Sequence, residues 1–140
     1  MHKMLILEDD EGNRHYLQML FRNDYNIVEA GDIDTALDEL RKPDNNDIAI
    51  IIADKKLENV SGIQVSGIQF LKESKERFPY AIRVLYTAYP DIKDYEMLIN
   101  DIRIDLIYFK PLLEHKANEL KIRLKTLLIE KGKIKNALEI

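Results

Sequence analysis

The chain has no cysteine, which excludes a disulfide framework and any chemistry that needs a thiolate, and permits a reducing compartment. It also lacks a long apolar run. The opening MHKMLILEDDE carries four apolar residues, Met4 to Leu7, before a block of acids, too few for a signal peptide or a membrane span. The expected location is therefore cytoplasmic, with no membrane partner. The three histidines, His2, His15 and His115, are scattered without metal-ligand spacing and are expected at the surface. Positive charge is short overall: a formal net charge of −4 argues against direct nucleic-acid binding. The deficit is uneven, because from His115 onward seven Lys and Arg face three acids. An acidic body thus precedes a basic tail, read here as a solvated helix face.

What is present suffices for one domain. At 140 residues, 46% hydrophobic and 33% charged, the chain can bury a real core but has no room for a second folded unit. Short apolar runs rich in Ile, Leu and Val alternate with longer helical patterns. The strand candidates are Lys3 to Glu8, Tyr25 to Glu29, Ile48 to Asp54, Arg83 to Thr87 and Ile104 to Lys110, and helical spacing predicts helices near 12–22, 33–41, 66–77, 91–101 and 112–131. This alternation points to an α/β sandwich, a doubly wound parallel sheet with helices on both faces. Asp32 is a candidate N-cap with Thr35 three residues on, while Pro43 and Pro79 punctuate the second and third helices.

Open α/β sheets bind ligands beyond the carboxyl ends of their strands. The polar residues expected there are Glu8 with Asp9, Asp54, Thr87 and Lys110. Three carboxylates at one sheet edge are costly to pack unless something compensates them, and a hard divalent cation would. Mg²⁺ takes oxygen ligands at about 2.1 Å, commonly one or two carboxylates plus waters and phosphate oxygens. Asp9 and Asp54 suit that role, with Glu8 acting directly or through water. The metal would let a carboxylate oxygen attack a phosphoryl group, with Lys110 pairing its oxygens and the Thr87 hydroxyl donating to another. The product would be an acyl phosphate on Asp54.

The stretches LILEDDE at 5–11, AD at 53–54, LYTAY at 85–89 and FKP at 109–111, in that order and spacing, resemble the four signatures of response-regulator receiver domains of two-component systems. The resemblance covers residues 1–125 and leaves 126–140 as a C-terminal helical extension or linker. It implies strand order 2-1-3-4-5 and phosphotransfer from a histidine kinase or phosphotransfer protein to Asp54. It also implies slow self-dephosphorylation and a shift of the face formed by the 91–101 helix, the fifth strand and the fifth helix. By the same resemblance Asp54, Thr87 and Lys110 are the catalytic set, and Glu8, Asp9, Asp54 and the main-chain carbonyl of Lys56 hold Mg²⁺. The partner downstream would be an effector or a fused output domain outside this chain. Counting back from Arg14, whose spacing resembles a frequent family arginine, favours Glu8 and Asp9 as the acid pair, with Asp10 as fallback; Asp10 otherwise reads as an acid favoured at a helix start.

Four departures bear on function. Ile107 stands where the family usually has an aromatic switch residue, and its neighbour Tyr108 should point to the opposite face. Glu58 replaces a usual proline, and Lys55 and Lys56 directly follow the phosphoacceptor. SGIQ occurs at 61–64 and again at 66–69, a five-residue duplication lengthening a loop beside the site, at small entropic cost. The amphipathic tail runs on past Leu128; the remainder, IEKGKIKNALEI at 129–140, is a frayed end, a linker, or a coiled-coil arm that would make a homodimer, and Gly132 argues for a break. Two other readings stay open. One is a degenerate receiver that binds partners without phosphorylation. The other is a phosphatase of the haloacid-dehalogenase type, which would want an acid where Lys56 stands.

Overall fold

The apolar runs form five parallel strands: β1 (Lys3–Leu7), β2 (Asn26–Ala30), β3 (Ile48–Ala53), β4 (Ile82–Thr87) and β5 (Leu106–Phe109). They hydrogen-bond in the order β2-β1-β3-β4-β5. The computed structural model describes residues 1–54, 67–88 and 103–139, the last seven by backbone alone. Among these, four α-helices connect and flank the strands: α1 (Glu11–Phe21), α2 (Ile33–Arg41), α3 (Gly67–Arg77) and α4 (Glu114–Glu139). The helix expected near 91–101 lies outside the described residues, as do Tyr89, Glu58 and the first SGIQ copy.

Side-chain alternation along each strand splits the core into two layers. Leu5, Leu7, Ile51, Ala53 and Leu85 pack with Ile33, Ala36 and Leu40 of α2 and with Phe70 and Leu71 of α3. Met4, Ile6, Ile50, Ile52, Val84 and Tyr86 pack with Leu17 and Phe21 of α1 and with Ala117, Leu120 and Leu124 of α4. Each face is therefore covered, which is why the central strands read as nearly continuous apolar runs. The alternation slips once. Lys3 of β1 faces Ile48 whereas Met4 faces Ile50, and this bulge puts Ile48 in the layer of Ile51 and Ala53 rather than that of Ile50.

Local chemistry sets the helix ends. Asp32 caps α2, accepting from the Thr35 amide at 2.7 Å and the Thr35 hydroxyl at 3.0 Å, and Pro43 opens a 3₁₀ turn after its end. The expected strand ends shift by a residue or two: Glu8, Asp54 and Lys110 each lie just past their strands, and Tyr25 precedes β2. The break expected at Gly132 does not occur, because α4 continues to Glu139. Glycine costs a helix only about 1 kcal/mol against alanine. Here the neighbouring Lys131 reaches both Asp105, at 3.1 Å, and the Ala81 carbonyl, at 3.4 Å, holding the helix against the body. No described helix is long and apolar enough to cross a membrane.

Candidate functional site

The strand ladders converge on one rim. The Asp54 amide donates to the Leu7 carbonyl at 3.2 Å, the Glu8 amide to Ala30 at 3.1 Å, and the Lys110 amide to Thr87 at 2.9 Å. These main-chain bonds bring the carboxyl ends of β1, β3, β4 and β5 side by side, and the five expected side chains with them. Carboxylate oxygens of Glu8, Asp9 and Asp54 lie within 4.8 Å of one another. Lys110 crosses to the acids from the far strand, its Nζ 2.6 Å from Glu8 Oε2 and 2.7 Å from Asp54 Oδ2. Thr87, 1% exposed, closes β4 beside them.

Burial differs sharply within the cluster. Glu8 is 1% exposed and Asp54 8%, while Asp9 is exposed. Desolvation pushes the Glu8 carboxyl above the ordinary 4.5, against the opposing pull of the Lys110 ammonium and the Asp10 amide. For Lys110, burial alone would lower the ammonium, but hydrogen bonds and charge from Asp54 and Glu8 outweigh it and leave it above the usual lysine value. The Tyr86 ring lies 5.2 Å from the same ammonium, adding a cation–π contact. Strand alternation places Tyr86 in the buried layer of Val84 and Ile52.

The three acids after β1 take different roles. Asp10 caps α1, its carboxylate accepting from the Asn13 amide at 2.7 Å, so its role as a helix-start acid stands. Glu8 accepts the Asp10 amide on Oε1 at 3.2 Å and faces Lys110 with Oε2. Asp9, between them, is exposed and has no hydrogen bond or ion pair among the described residues. The donor set fits Mg²⁺: every candidate ligand is an oxygen, and 4.8 Å is close to the roughly 3 to 4.2 Å that separates ligands in an octahedron of about 2.1 Å bonds. The Lys56 carbonyl, the further ligand expected from the resemblance, lies outside the described residues.

Two residues of the departures are settled in position. Ile107 is in register with Leu85 and packs against the layer of α2 and α3. Tyr108 faces the other layer, its hydroxyl donating to Glu119 at 3.0 Å and accepting from Arg123 at 3.3 Å. The β4–β5 pairing runs without a bulge, so Tyr108 cannot take the place of an aromatic at 107.

Solved structures share this fold. A response regulator receiver domain protein (CheY-like) from Methanospirillum hungatei superposes with a TM-score of 0.81 at 17% identity, covering 95% of this chain and 98% of that one. This chain has the receiver-domain fold. The signal receiver domain of an HD domain-containing protein from Pseudomonas fluorescens matches it with a TM-score of 0.79 at 24% identity, over 94% of this chain and 98% of the other. A receiver domain protein from Clostridium thermocellum gives 0.80 at 18%, over 96% and 99%. By sequence, the chain is 24% identical over 109 residues, 77% of its length, to the hydrogenase transcriptional regulatory protein HoxA of Cupriavidus necator, and spans 21% of that protein's length. No family model matches.

Proposed function

We propose that the chain is a phosphoacceptor switch of two-component signalling, in which Asp54 takes a phosphoryl group from a phosphohistidine donor in a Mg²⁺-dependent reaction. The observation that carries this reading is the Lys110 ammonium, 2.6 and 2.7 Å from Glu8 and Asp54, at the mouth where three carboxylates meet. An Asp54 carboxylate oxygen bonds to phosphorus as the P–N bond of the donor breaks. The bonding pair returns to the ring nitrogen, and the ring, carrying the proton it already held on its other nitrogen, leaves as neutral imidazole. Lys110, freed from one Asp54 oxygen, then pairs with phosphoryl oxygens, and the Thr87 hydroxyl donates to another. Mg²⁺, held by Asp9, Asp54, the Lys56 carbonyl and Glu8 directly or through water, would neutralise charge on both reactants. A histidine kinase or phosphotransfer protein upstream, an effector or output domain downstream and a cytoplasmic setting fit this role.

Incubation with acetyl phosphate and Mg²⁺ tests it. The expected result is an intact-mass increase of one phosphoryl group, localised to Asp54 and absent in Asp54→Asn, with beryllium trifluoride perturbing the same site. A folded protein that takes up neither would refute it in favour of a second reading, a phosphorylation-independent interaction module. Ile107 favours that alternative, because an aliphatic side chain packed against the core offers Thr87 no aromatic partner to draw inward. Rapid turnover of a phosphomonoester would point instead to a phosphatase.

A further inference from the structure

Arg14 lies outside the acid cluster, at the end of the first turn of α1, yet it grips the segment that carries the cluster. Its Nη1 donates to the Glu8 carbonyl at 2.8 Å. The strand ladder stops at that residue: β1 ends at Leu7, and the last ladder bond on this side is from the Glu8 amide to Ala30. The turn is closed at Asp10 as well, since its amide reaches Glu8 Oε1 and its carbonyl accepts from the Arg14 amide at 2.9 Å. Asp9 sits at the centre of this closed turn with no side-chain partner among the described residues, so its carboxylate is placed by backbone alone. Repulsion among the three carboxylates pushes against that placement.

The guanidinium reaches the carbonyl by lying against Gly31, the residue after β2. A β-carbon at 31 would stand 3.0 Å from Nη1 and 3.6 Å from Cζ of Arg14. The backbone at Gly31 does not occupy the left-handed region, so space, not conformation, is what glycine supplies there.

We propose that Arg14 is a positioning residue for the cation site: seated on Gly31, it pins the Glu8 carbonyl and thereby fixes where the turn holds the Asp9 carboxylate. The inference rests on the phosphoacceptor reading and deepens it. Ligands must be held within about 0.5 Å of their working geometry, and a clamp on the adjacent carbonyl does this without spending a ligand atom.

Mg²⁺ titration by calorimetry on the whole chain is the test, beside thermal melting and the Mg²⁺ dependence of acetyl phosphate labelling. Arg14→Gln is expected to weaken Mg²⁺ binding about tenfold, in the range found when outer partners of metal ligands are removed. Gly31→Ala, which displaces the guanidinium by tenths of an ångström, should weaken it roughly threefold, and the double variant should bind no worse than Arg14→Gln alone. The Mg²⁺ concentration for half-maximal labelling should rise by the same factors, while the maximal rate falls by less. Arg14→Lys should recover part of the affinity. Wild-type affinity in Arg14→Gln, or a Gly31→Ala effect that persists in its background, would overturn the inference alone, even if melting temperature falls. Absence of saturable Mg²⁺ binding in the wild type would overturn it together with the reading beneath it.

Discussion

The clearest consequence of the acid cluster is that one substitution should raise stability without metal and lower it with metal. Oxygens of Asp9, Glu8 and Asp54 lie within 4.8 Å of one another. At that distance two unit charges repel by about 0.9 kcal/mol at the dielectric of water and about 3.5 kcal/mol at an effective dielectric of 20. Asp9 is exposed, so the lower figure applies, and Lys110 offsets part of the sum over two neighbours. Asp9→Asn should therefore stabilise the metal-free protein by about 1 kcal/mol, or about 3 °C in Tm at this chain length. Mg²⁺ at a hundredfold excess over Kd would stabilise the wild type by about 2.7 kcal/mol, about 8 °C. A variant whose affinity is a hundredfold weaker would gain about 0.4 kcal/mol, about 1 °C. The order of the two melting curves should thus invert between EDTA and Mg²⁺ in scanning calorimetry. Asp10→Asn, which keeps a capping side chain at a position turned toward α1, should show the wild-type Mg²⁺ response. If Asp9→Asn melts below the wild type in EDTA, or both gain equally from Mg²⁺, carboxylate repulsion relieved by a shared cation is refuted.

Buried charge and α4 give three further expected outcomes. Lys110→Met should cost about 3 kcal/mol at neutral pH, because it strands Glu8 in the interior. The folded Glu8 carboxyl is already held above 4.5 by burial, and more so without its ammonium partner; the penalty exists above that folded value and fades as pH falls toward 4.5, so urea midpoints of this variant should approach those of the wild type on acidification. Arg83, 1% exposed, donates Nη1 to the Phe78 carbonyl at 3.0 Å, while its Nε has no partner among the described residues. Arg83→Met should fall within about 1 kcal/mol of the wild type, whereas Arg83→Ala should lose about 3 kcal/mol to a cavity, as read from urea titration. Ending the chain after Lys125 removes the half-buried Leu127 and Leu128 and the Lys131–Asp105 pair; circular dichroism melting should show a loss of about 2 kcal/mol, and an unchanged Tm would make the tail an independent linker.

What was legible in the sequence was the placement of polar residues at strand ends. Glu8, Asp9, Asp54, Thr87 and Lys110 stand at or just past strand ends, and a parallel sheet brings strand ends to one rim whatever its helices contain. The separation of Ile107 from Tyr108 was legible for the same kind of reason, since a period of two leaves no freedom without a bulge. Where a bulge does occur, at the start of β3, the alternation misleads: nothing in IAIIIA says that Ile48 and Ile50 face opposite layers.

Arg14 and Gly132 stood out in the sequence, but what each does there is tertiary and was not legible. Arg14 served only as a spacing mark for the acid pair, whereas its guanidinium acts on a backbone carbonyl across a glycine seventeen positions away. Gly132 weakens a helix locally, but the Lys131 contacts with Asp105 and Ala81 decide the outcome from outside it. The fold is kept at low identity to the solved receiver domains, 17% and 24% in two of them. Strand burial and strand-end position fix which residues meet at the rim, while a support such as Arg14 depends on side-chain contacts that the strand pattern does not encode. The proposed supports, Arg14 and Gly31, are therefore where substitution is expected to change cation affinity while leaving the rim side chains in place.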